Sequence, residues 1–281
     1  MKITRESLAA LHDADAAAAA VEKVVQTATQ SRLTTTLFLA RYASWNGLFG
    51  SGVASLAGKI GRSQDLFLEE GMLAPLADRS VLVASYFFDA ARDEFDDRDT
   101  EHRDTHRCLA QATLTGVVNM AKTDHSELAD EALEQTLRCP FWLDGLRGRV
   151  AQGYGEGSAD DYAGIFRAIG YHLGSELLAD KEFSIIDSSL RAHDAELVKQ
   201  LSETEVTIAD QAHNCYQWIG IHSGHGGAAE ADHFEWAVSG ASLAFKYVPE
   251  KLHDALRRQL DAGYKAFAAD HDEFFAKVLD T

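Results

Sequence analysis

The sequence predicts a single all-α domain, and three observations support that prediction. Only three prolines, Pro75, Pro140 and Pro249, interrupt long stretches rich in residues that favour helix. Apolar residues recur at three- and four-residue steps over most of the chain, which is the spacing of a helix with one buried face. Neither an internal repeat, a low-complexity linker nor a useful alternating strand pattern divides the 281 residues. We therefore expect one helical domain over residues 1–281.

The N-terminal part is expected to form two long helices. Residues 5–30, opened by Thr4 or Ser7, combine an alanine tract with spaced apolar side chains. Residues 32–61 have apolar side chains near helical spacing, which predicts a second amphipathic helix. The small residues that begin at Gly47 mark either a kink or a close helix contact within it.

The middle of the chain alternates apolar helices with breaks. Residues 81–92 predict an apolar helix that leads into a charged segment ending at His106. An apolar helix resumes over residues 109–120, and one or two shorter helices follow within residues 127–151. Residues 152–158, rich in glycine, are the clearest loop.

The C-terminal half is expected to consist of further helices. Ser158 to Asp161 resembles a capping box with the serine as cap, which would start a helix running to about Asp187. Further helical segments are expected at residues 188–201, 204–221, 228–246 and 249–279. The first of these either continues the preceding helix or begins a new one.

Charge and cysteine content exclude several classes of protein. Lys and Arg number 26 against 44 Asp and Glu, and the net charge of −18 opposes binding to nucleic acid or to an anionic membrane. Cys108, Cys139 and Cys215 form no Cys-x-x-Cys pair, which disfavours a disulfide-built or zinc-finger fold. The N-terminus lacks a signal-peptide pattern, and no run approaches the roughly 18 apolar residues of a membrane span. We expect a cytoplasmic protein.

The pair Glu230 and His233 is a local indication of a metal site. A carboxylate and an imidazole three residues apart share one face of a helix, about 5–6 Å apart at Cβ. That separation allows both to bind one metal ion. Phe234 and Ala237 continue the apolar face on which the pair lies.

Acids also occur inside the apolar stripes of two earlier helices. Glu94 follows Ala90 by one turn on a face that should be buried, and His106 is the matching imidazole, with His102 as the alternative. Glu176 interrupts the apolar stripe of a later helix. Buried acids are costly unless a metal or a base supports them, so this pattern predicts a carboxylate-rich di-metal site.

In their order along the chain, these segments resemble the haem-oxygenase-like diiron oxidase superfamily, whose fold is shared with thiaminase-like proteins and haem oxygenase. The resemblance covers about residues 87–237. It rests on Asp93-Glu-Phe-Asp96 with His106 and Gly116, on Ala168-Ile-Gly170 with Glu176, and on Glu230-x-x-His233-Phe234.

The resemblance implies a haem-oxygenase-like bundle of about seven core helices that holds two iron ions and uses O2 as co-substrate. The reaction would oxidise, desaturate or cleave a small amino-acid- or carboxylate-like substrate. Three carboxylates and about three histidines would bind the iron. The implied metal ligands are Glu94, His106, Glu176, His225, Glu230 and His233.

One position departs from the family pattern. The pattern puts a histidine four residues before the last carboxylate, where this chain has Gly226. His225 is adjacent and His222 lies one turn earlier, so whether His222, His225 or neither completes the site stays open.

Several alternatives also stay open. Arg41 and Arg167 are candidates for binding a carboxylate substrate. A haem-handling relative would need His12 as its proximal histidine, and a thiaminase-like hydrolase would need a nucleophile such as Cys215. A helical binding protein without catalysis is a third reading. A homodimer is one option for the oligomeric state.

Overall fold

The computed structural model describes residues 1–96, 104–124, 134, 137–179, 181–223 and 229–280, with the side chains of residues 229–232 left out. Helix makes up 77% of the structure and strand only 4%, so the predicted all-α class is confirmed.

The helices of the N-terminal half are α1 (Arg5–Ala9), α2 (Ala14–Ala28), α3 (Arg32–Asn46), α4 (Phe49–Arg62), α5 (Ala74–Ala77), α6 (Ser80–Phe95) and α7 (His106–Asp124). Those of the C-terminal half are α8 (Phe141–Gly153), α9 (Tyr162–Ala179), α10 (Glu182–His193), α11 (Ala195–Glu203), α12 (Gln217–His222), α13 (Ala229–Lys246) and α14 (His253–Lys277). Between α11 and α12 lies an antiparallel hairpin of β1 (Glu205–Ile208) and β2 (Gln211–Asn214). None of the helices in the described ranges is long and apolar enough to cross a membrane.

Both long N-terminal helices are broken, so the predictions for 5–30 and 32–61 were wrong in length. Thr4 caps α1 as expected, but Asp13 starts α2 separately because its side chain accepts a hydrogen bond from the backbone N–H of Ala16. The second helix divides at Gly47, where a Cβ atom would overlap the guanidinium of Arg107. That glycine therefore marks both a break and a close contact.

The C-terminal helices also differ from expectation at their ends. Ser158 is not the cap of α9, because the Oδ1 atom of Asp161 accepts the hydrogen bond from Gly164 N at 2.8 Å. Ser158 instead accepts a hydrogen bond from the Nζ atom of Lys59 at 2.8 Å. The helix ends at Ala179 rather than near residue 187, and α10 begins as a separate element.

The predicted helix over residues 204–221 was wrong for most of its length. Residues 205–214 form the hairpin, which pairs Val206 with His213. Ala209 and Asp210 occupy its two-residue turn with φ of 51° and 66°. Such turns usually contain Asn-Gly or Asp-Gly, so Ala-Asp gave no hairpin signal. Only the last part of the segment is helical, as α12.

The segment predicted to contain one or two shorter helices, residues 127–151, lies partly outside the described residues. Pro140 precedes α8, as the position of the proline implies, while residues 125–133 are among those not described.

Helix α9 is the centre of the bundle and packs along α14 with their backbones almost in contact. A Cβ atom at Gly170 would lie 1.9 Å from the carbonyl oxygen of Leu260. A Cβ atom at Gly263 would lie 1.8 Å from the carbonyl oxygen of Arg167. Helix α6 packs against both α4 and α13 beside this pair. The arrangement brings acidic and histidine side chains of α6, α7, α9, α12 and α13 together.

Candidate metal centre

A small cavity of about 50 Å³ lies where these five helices meet. Four of the predicted ligands line it, namely Glu94, His106, Glu176 and His233. They come from four different helices, of which α6 and α7 follow each other in the chain and α9 and α13 lie much later. The other lining residues are Asn46, Phe49, Ser175, Ala179, Phe183 and His222.

Glu94 and His106 contact each other across the gap between α6 and α7. The Nδ1 atom of His106 lies 3.1 Å from the Oε2 atom of Glu94. Burial alone would raise the pKa of Glu94, but His106, with smaller contributions from His233 and His222, lowers it to about 2. The carboxylate is therefore ionised at neutral pH, as a metal ligand must be.

Close packing of α4 fixes the position of Glu94. A Cβ atom at Gly50 would lie 2.9 Å from the Cβ atom of Glu94, so any larger residue at position 50 would displace the acid. The side chain of Glu94 remains 27% exposed and lines the cavity.

His222, at the end of α12, directs one ring nitrogen into the cavity. Its Nδ1 atom lies 2.6 Å from the carbonyl oxygen of Trp218. Because a carbonyl can only accept a hydrogen bond, the Nδ1 atom must carry a hydrogen, and in the neutral ring the Nε2 atom is the acceptor. The Nε2 atom lies 3.2 Å from the Nδ1 atom of His106, and the ring of Phe183 stacks on the imidazole at 4.5 Å.

His233 is held by a carboxylate that the sequence analysis did not select. Its Nε2 atom donates a hydrogen bond to the Oδ2 atom of Asp93 at 2.9 Å, and both side chains are buried. Its Nδ1 atom faces the Oε2 atom of Glu176 at 3.9 Å. Burial lowers the pKa of His233, but Asp93, Glu176 and Glu94 outweigh that effect and raise it.

His172 supports Glu176 from inside α9. The ring of His172 is fully buried, and its Nδ1 atom lies 3.3 Å from the Oε1 atom of Glu176. Burial, assisted by the charge of His233, lowers the pKa of His172 to about 3, so the imidazole is neutral. Its Nε2 atom is buried and has no hydrogen-bond partner among the described residues.

Three predicted residues cannot be assigned a position in the cavity. His102 and His225 lie outside the described residues. Glu230 lies on α13, one turn before His233, but its side chain is among those left out. Of the two histidines between which the sequence could not choose, His222 lines the cavity, and His225 stays outside the described residues.

The two arginines suggested for substrate binding do not line this cavity. Arg41 is buried, and its Nη1 atom donates to the carbonyl oxygens of Val278 and Asp280 at 2.6 Å each, which fixes the C-terminal end of the chain. Arg167 is exposed on α9 and lines a different groove.

Cys215 and His12 also lie away from the cavity. Burial raises the pKa of the Cys215 thiol, and a Cβ atom at Gly116 would lie 2.8 Å from the Cβ atom of this cysteine. His12 lies 3.4 Å from Asp272 and lines a surface groove beside α1.

Within the described part of the chain, no group of three or more His, Cys, Asp or Glu side chains already has the arrangement of a metal site. The candidate ligands instead contact one another. The Nδ1 atom of His106 lies within hydrogen-bond distance of both Glu94 and His222, and Glu176 contacts His172.

Comparison with known protein families, curated protein sequences and solved structures finds no match to this chain. The function must therefore be inferred from the chemistry of the cavity.

Proposed function

We propose that this chain is a non-haem diiron oxidase or oxygenase with a haem-oxygenase-like fold. O2 would be its co-substrate, and the substrate would be a small amino-acid- or carboxylate-like molecule. The observation that supports the proposal is the meeting of three histidines and two carboxylates in one cavity, each from a different helix. The sequence predicts a third carboxylate, Glu230, one turn before His233.

Two donor distances are compatible with a shared cation. Two ligands bound to one metal ion at about 2.1 Å lie about 3 Å apart when they occupy adjacent positions. Glu94 and His222 lie 3.1 Å and 3.2 Å from the same nitrogen of His106. The described side chains do not yet surround a common point, so binding would require them to rearrange. The cation would replace the hydrogen that His106 carries on this nitrogen.

The outer hydrogen bonds of the histidines support the same assignment. His222 donates from Nδ1 to Trp218, and His233 donates from Nε2 to Asp93. In each ring the other nitrogen faces the cavity or a carboxylate in it. Metal-binding histidines are usually held in this way, by a carbonyl or carboxylate on the nitrogen opposite the metal.

The ligand types are compatible with iron. Carboxylates and imidazoles bind iron, but they also bind manganese and zinc, so the choice of iron rests on the family resemblance. Bound ferrous iron would supply the electrons that activate O2. Asp93 and His172 would orient ligands, while Phe49 and Phe183 would restrict the access of water.

Anaerobic titration with ferrous iron tests the proposal. We expect about two iron ions per chain, followed by a change in the ultraviolet absorbance when O2 is added. Glu176→Ala should lose at least one ion, because it removes the carboxylate that faces both His172 and His233.

A matched control separates ligand loss from unfolding. His271 is as deeply buried as the candidate ligands and also contacts a carboxylate, Glu182, but it does not line the cavity. His271→Gln should therefore keep the iron content of the wild type. A wild-type chain that binds less than one ion under these conditions would refute the proposal.

One observation favours a second candidate, a helical binding protein without metal. The cavity side chains already satisfy one another by hydrogen bonding, so the described residues do not require a metal ion for their stability. The same iron titration distinguishes the two candidates, since this alternative predicts no stoichiometric binding.

A further inference from the structure

The exposed apolar side chains are concentrated in one region. Ten large hydrophobic residues are exposed among the described residues, and eight of them lie between positions 68 and 95. We call these eight the α6 outer face. They are Leu68, Met72, Leu73, Leu76, Val81, Leu82, Phe88 and Phe95.

Helix α6 is apolar on two opposite sides. Val83, Phe87 and Ala90 are buried against the bundle, as one apolar stripe requires. Phe88 and Phe95, seven residues apart, are 59% and 46% exposed on the outer side. A helix of a monomer normally presents charged or polar residues there, so the second apolar side needs its own explanation.

Residues 68–79 extend this face at the N-terminal end of α6. The backbone N–H of Glu69 donates to the carbonyl oxygen of Ala77 at 2.8 Å, and Leu68 forms a β-bridge with Asp78. These bonds hold α5 close to the start of α6. Leu73 and Leu76 nevertheless remain 74% and 60% exposed. Leu73 and Leu76 are therefore exposed although backbone hydrogen bonds fix the segment to which they belong.

The summed exposed area of the eight side chains is comparable to one side of a standard protein interface. At exposures between 40% and 74%, eight large side chains present roughly 900 Å² of surface. A standard protein interface buries about 800 Å² on each partner. Exposed apolar patches on monomers rarely exceed about 300–600 Å².

Two charged residues on this face suit a second copy of the chain as partner. Asp89 and Arg92 are exposed, and neither side chain has a salt bridge or hydrogen bond within the described part of the chain. They lie three residues apart near Phe88. In an antiparallel pair of identical helices, Asp89 of each copy can reach Arg92 of the other, which gives two identical ion pairs.

We propose that the α6 outer face binds a second copy of this chain, forming a two-fold dimer in which the two α6 helices run antiparallel. Phe88 lies near the two-fold axis, and Leu82 of one copy packs near Phe95 of the other. Paired opposite charges at the centre allow two chains of net charge −18 to associate. This proposal is independent of whether the cavity binds iron.

Sedimentation equilibrium of the full chain tests the dimer. The expected mass is about 61 kDa, twice the 30.7 kDa of one chain. Phe88→Glu should raise the dimer dissociation constant at least about 100-fold, because it places two like charges at the centre of an apolar interface. Phe141 is 92% exposed on α8, outside this face, so Phe141→Glu is the matched control and should remain dimeric.

Charge reversal tests the antiparallel arrangement. Asp89→Arg alone and Arg92→Asp alone should each weaken the dimer about 10-fold, since each creates two like-charge contacts. The double variant restores both ion pairs and should return to the wild-type dissociation constant. Helix content by circular dichroism should be unchanged in all variants because these side chains are exposed.

Three outcomes would overturn the proposal. The first is a wild-type chain that is monomeric at about 50 μM, where interfaces of this size normally form. The second is a dimer whose dissociation constant is unaffected by Phe88→Glu. The third is a double charge variant that dimerises more weakly than both single variants.

Discussion

Replacing Asp93 with asparagine would test whether His233 is held as a metal ligand. Asp93 is 2% exposed, and its Oδ2 atom accepts the hydrogen bond from His233 Nε2 at 2.9 Å. Asparagine keeps the shape and can still accept a hydrogen bond, but it removes the charge. Loss of such a partner weakens metal binding about 10–100-fold, which is about 1.4–2.7 kcal/mol. We expect ferrous iron to bind the variant more weakly by that factor.

The loss of iron affinity in Asp93→Asn should depend on pH in a defined direction. Although burial lowers the pKa of His233, Asp93 and the cavity carboxylates raise it above its ordinary value. A proton therefore competes with the metal at His233 more strongly in the wild type than in Asp93→Asn. The affinity difference between the two should be smallest near about pH 6 and largest near about pH 8. A purely structural role for Asp93 gives no such dependence.

Anaerobic competition with a coloured iron chelator measures both affinities at each pH. Glu235→Gln is the control, because it removes one negative charge from the exposed side of α13, two residues from His233. It should bind iron like the wild type. Equal iron affinity of Asp93→Asn and the wild type at both pH values would refute the assignment of His233 as an oriented ligand.

Two further predictions concern stability and are measured by urea denaturation. His271 donates a hydrogen bond to Glu182 in the core at 2.9 Å. His271→Gln should therefore lower the free energy of unfolding by about 3–5 kcal/mol. Burial lowers the pKa of His271, but neighbouring carboxylates raise it overall. Its stabilisation is therefore complete below the unfolded pKa of about 6.5 and lost as pH rises through the folded pKa, so the difference from the wild type should shrink at high pH. If the stability difference between His271→Gln and the wild type did not change with pH, a protonated His271 would be excluded. Gly170→Ala would place a methyl group 1.9 Å from Leu260 O and should destabilise by at least about 1–3 kcal/mol. Gly148→Ala, in an open position on α8, should instead stabilise by about 0.5–1 kcal/mol. If Gly170→Ala and Gly148→Ala changed the free energy of unfolding equally, the close packing of α9 on α14 would be contradicted.

Two proposals concern different sides of the same helix. The inner side of α6 bears Asp93 and Glu94, whereas its outer side presents Phe88 and Phe95. A dimer through the outer side would also fix the last turn of α6, from which both acids extend. Iron content and oligomeric state remain separate measurements, so either proposal can fail without the other.

The sequence was informative wherever a local pattern was sufficient. Helical spacing predicted that Glu94, Glu176 and His233 lie on inward-facing stripes, and all three line one cavity. The same spacing located α6, α7 and α13 to within a few residues. Such patterns work because a helix fixes the directions of neighbouring side chains without any distant contact.

The sequence was uninformative where two neighbouring residues compete for one role. Asp93 and Glu94 both follow Ala90 at helical spacing, and only the rotation of α6 against α13 assigns Asp93 to His233. His222 lines the cavity because α12 ends beside Phe183, a contact between segments that are distant in sequence.

The sequence by itself determined an all-α chain whose acids and histidines lie on buried helix faces, because periodicity and propensity are local properties. Tertiary structure alone decided which of those side chains meet, where the helices break and which apolar side chains are exposed among the described residues. Arg41 illustrates the difference, since the C-terminal carbonyls that it binds lie more than 230 residues away. Contacts between distant segments depend on how whole helices pack, and that packing cannot be read from the spacing within any one of them.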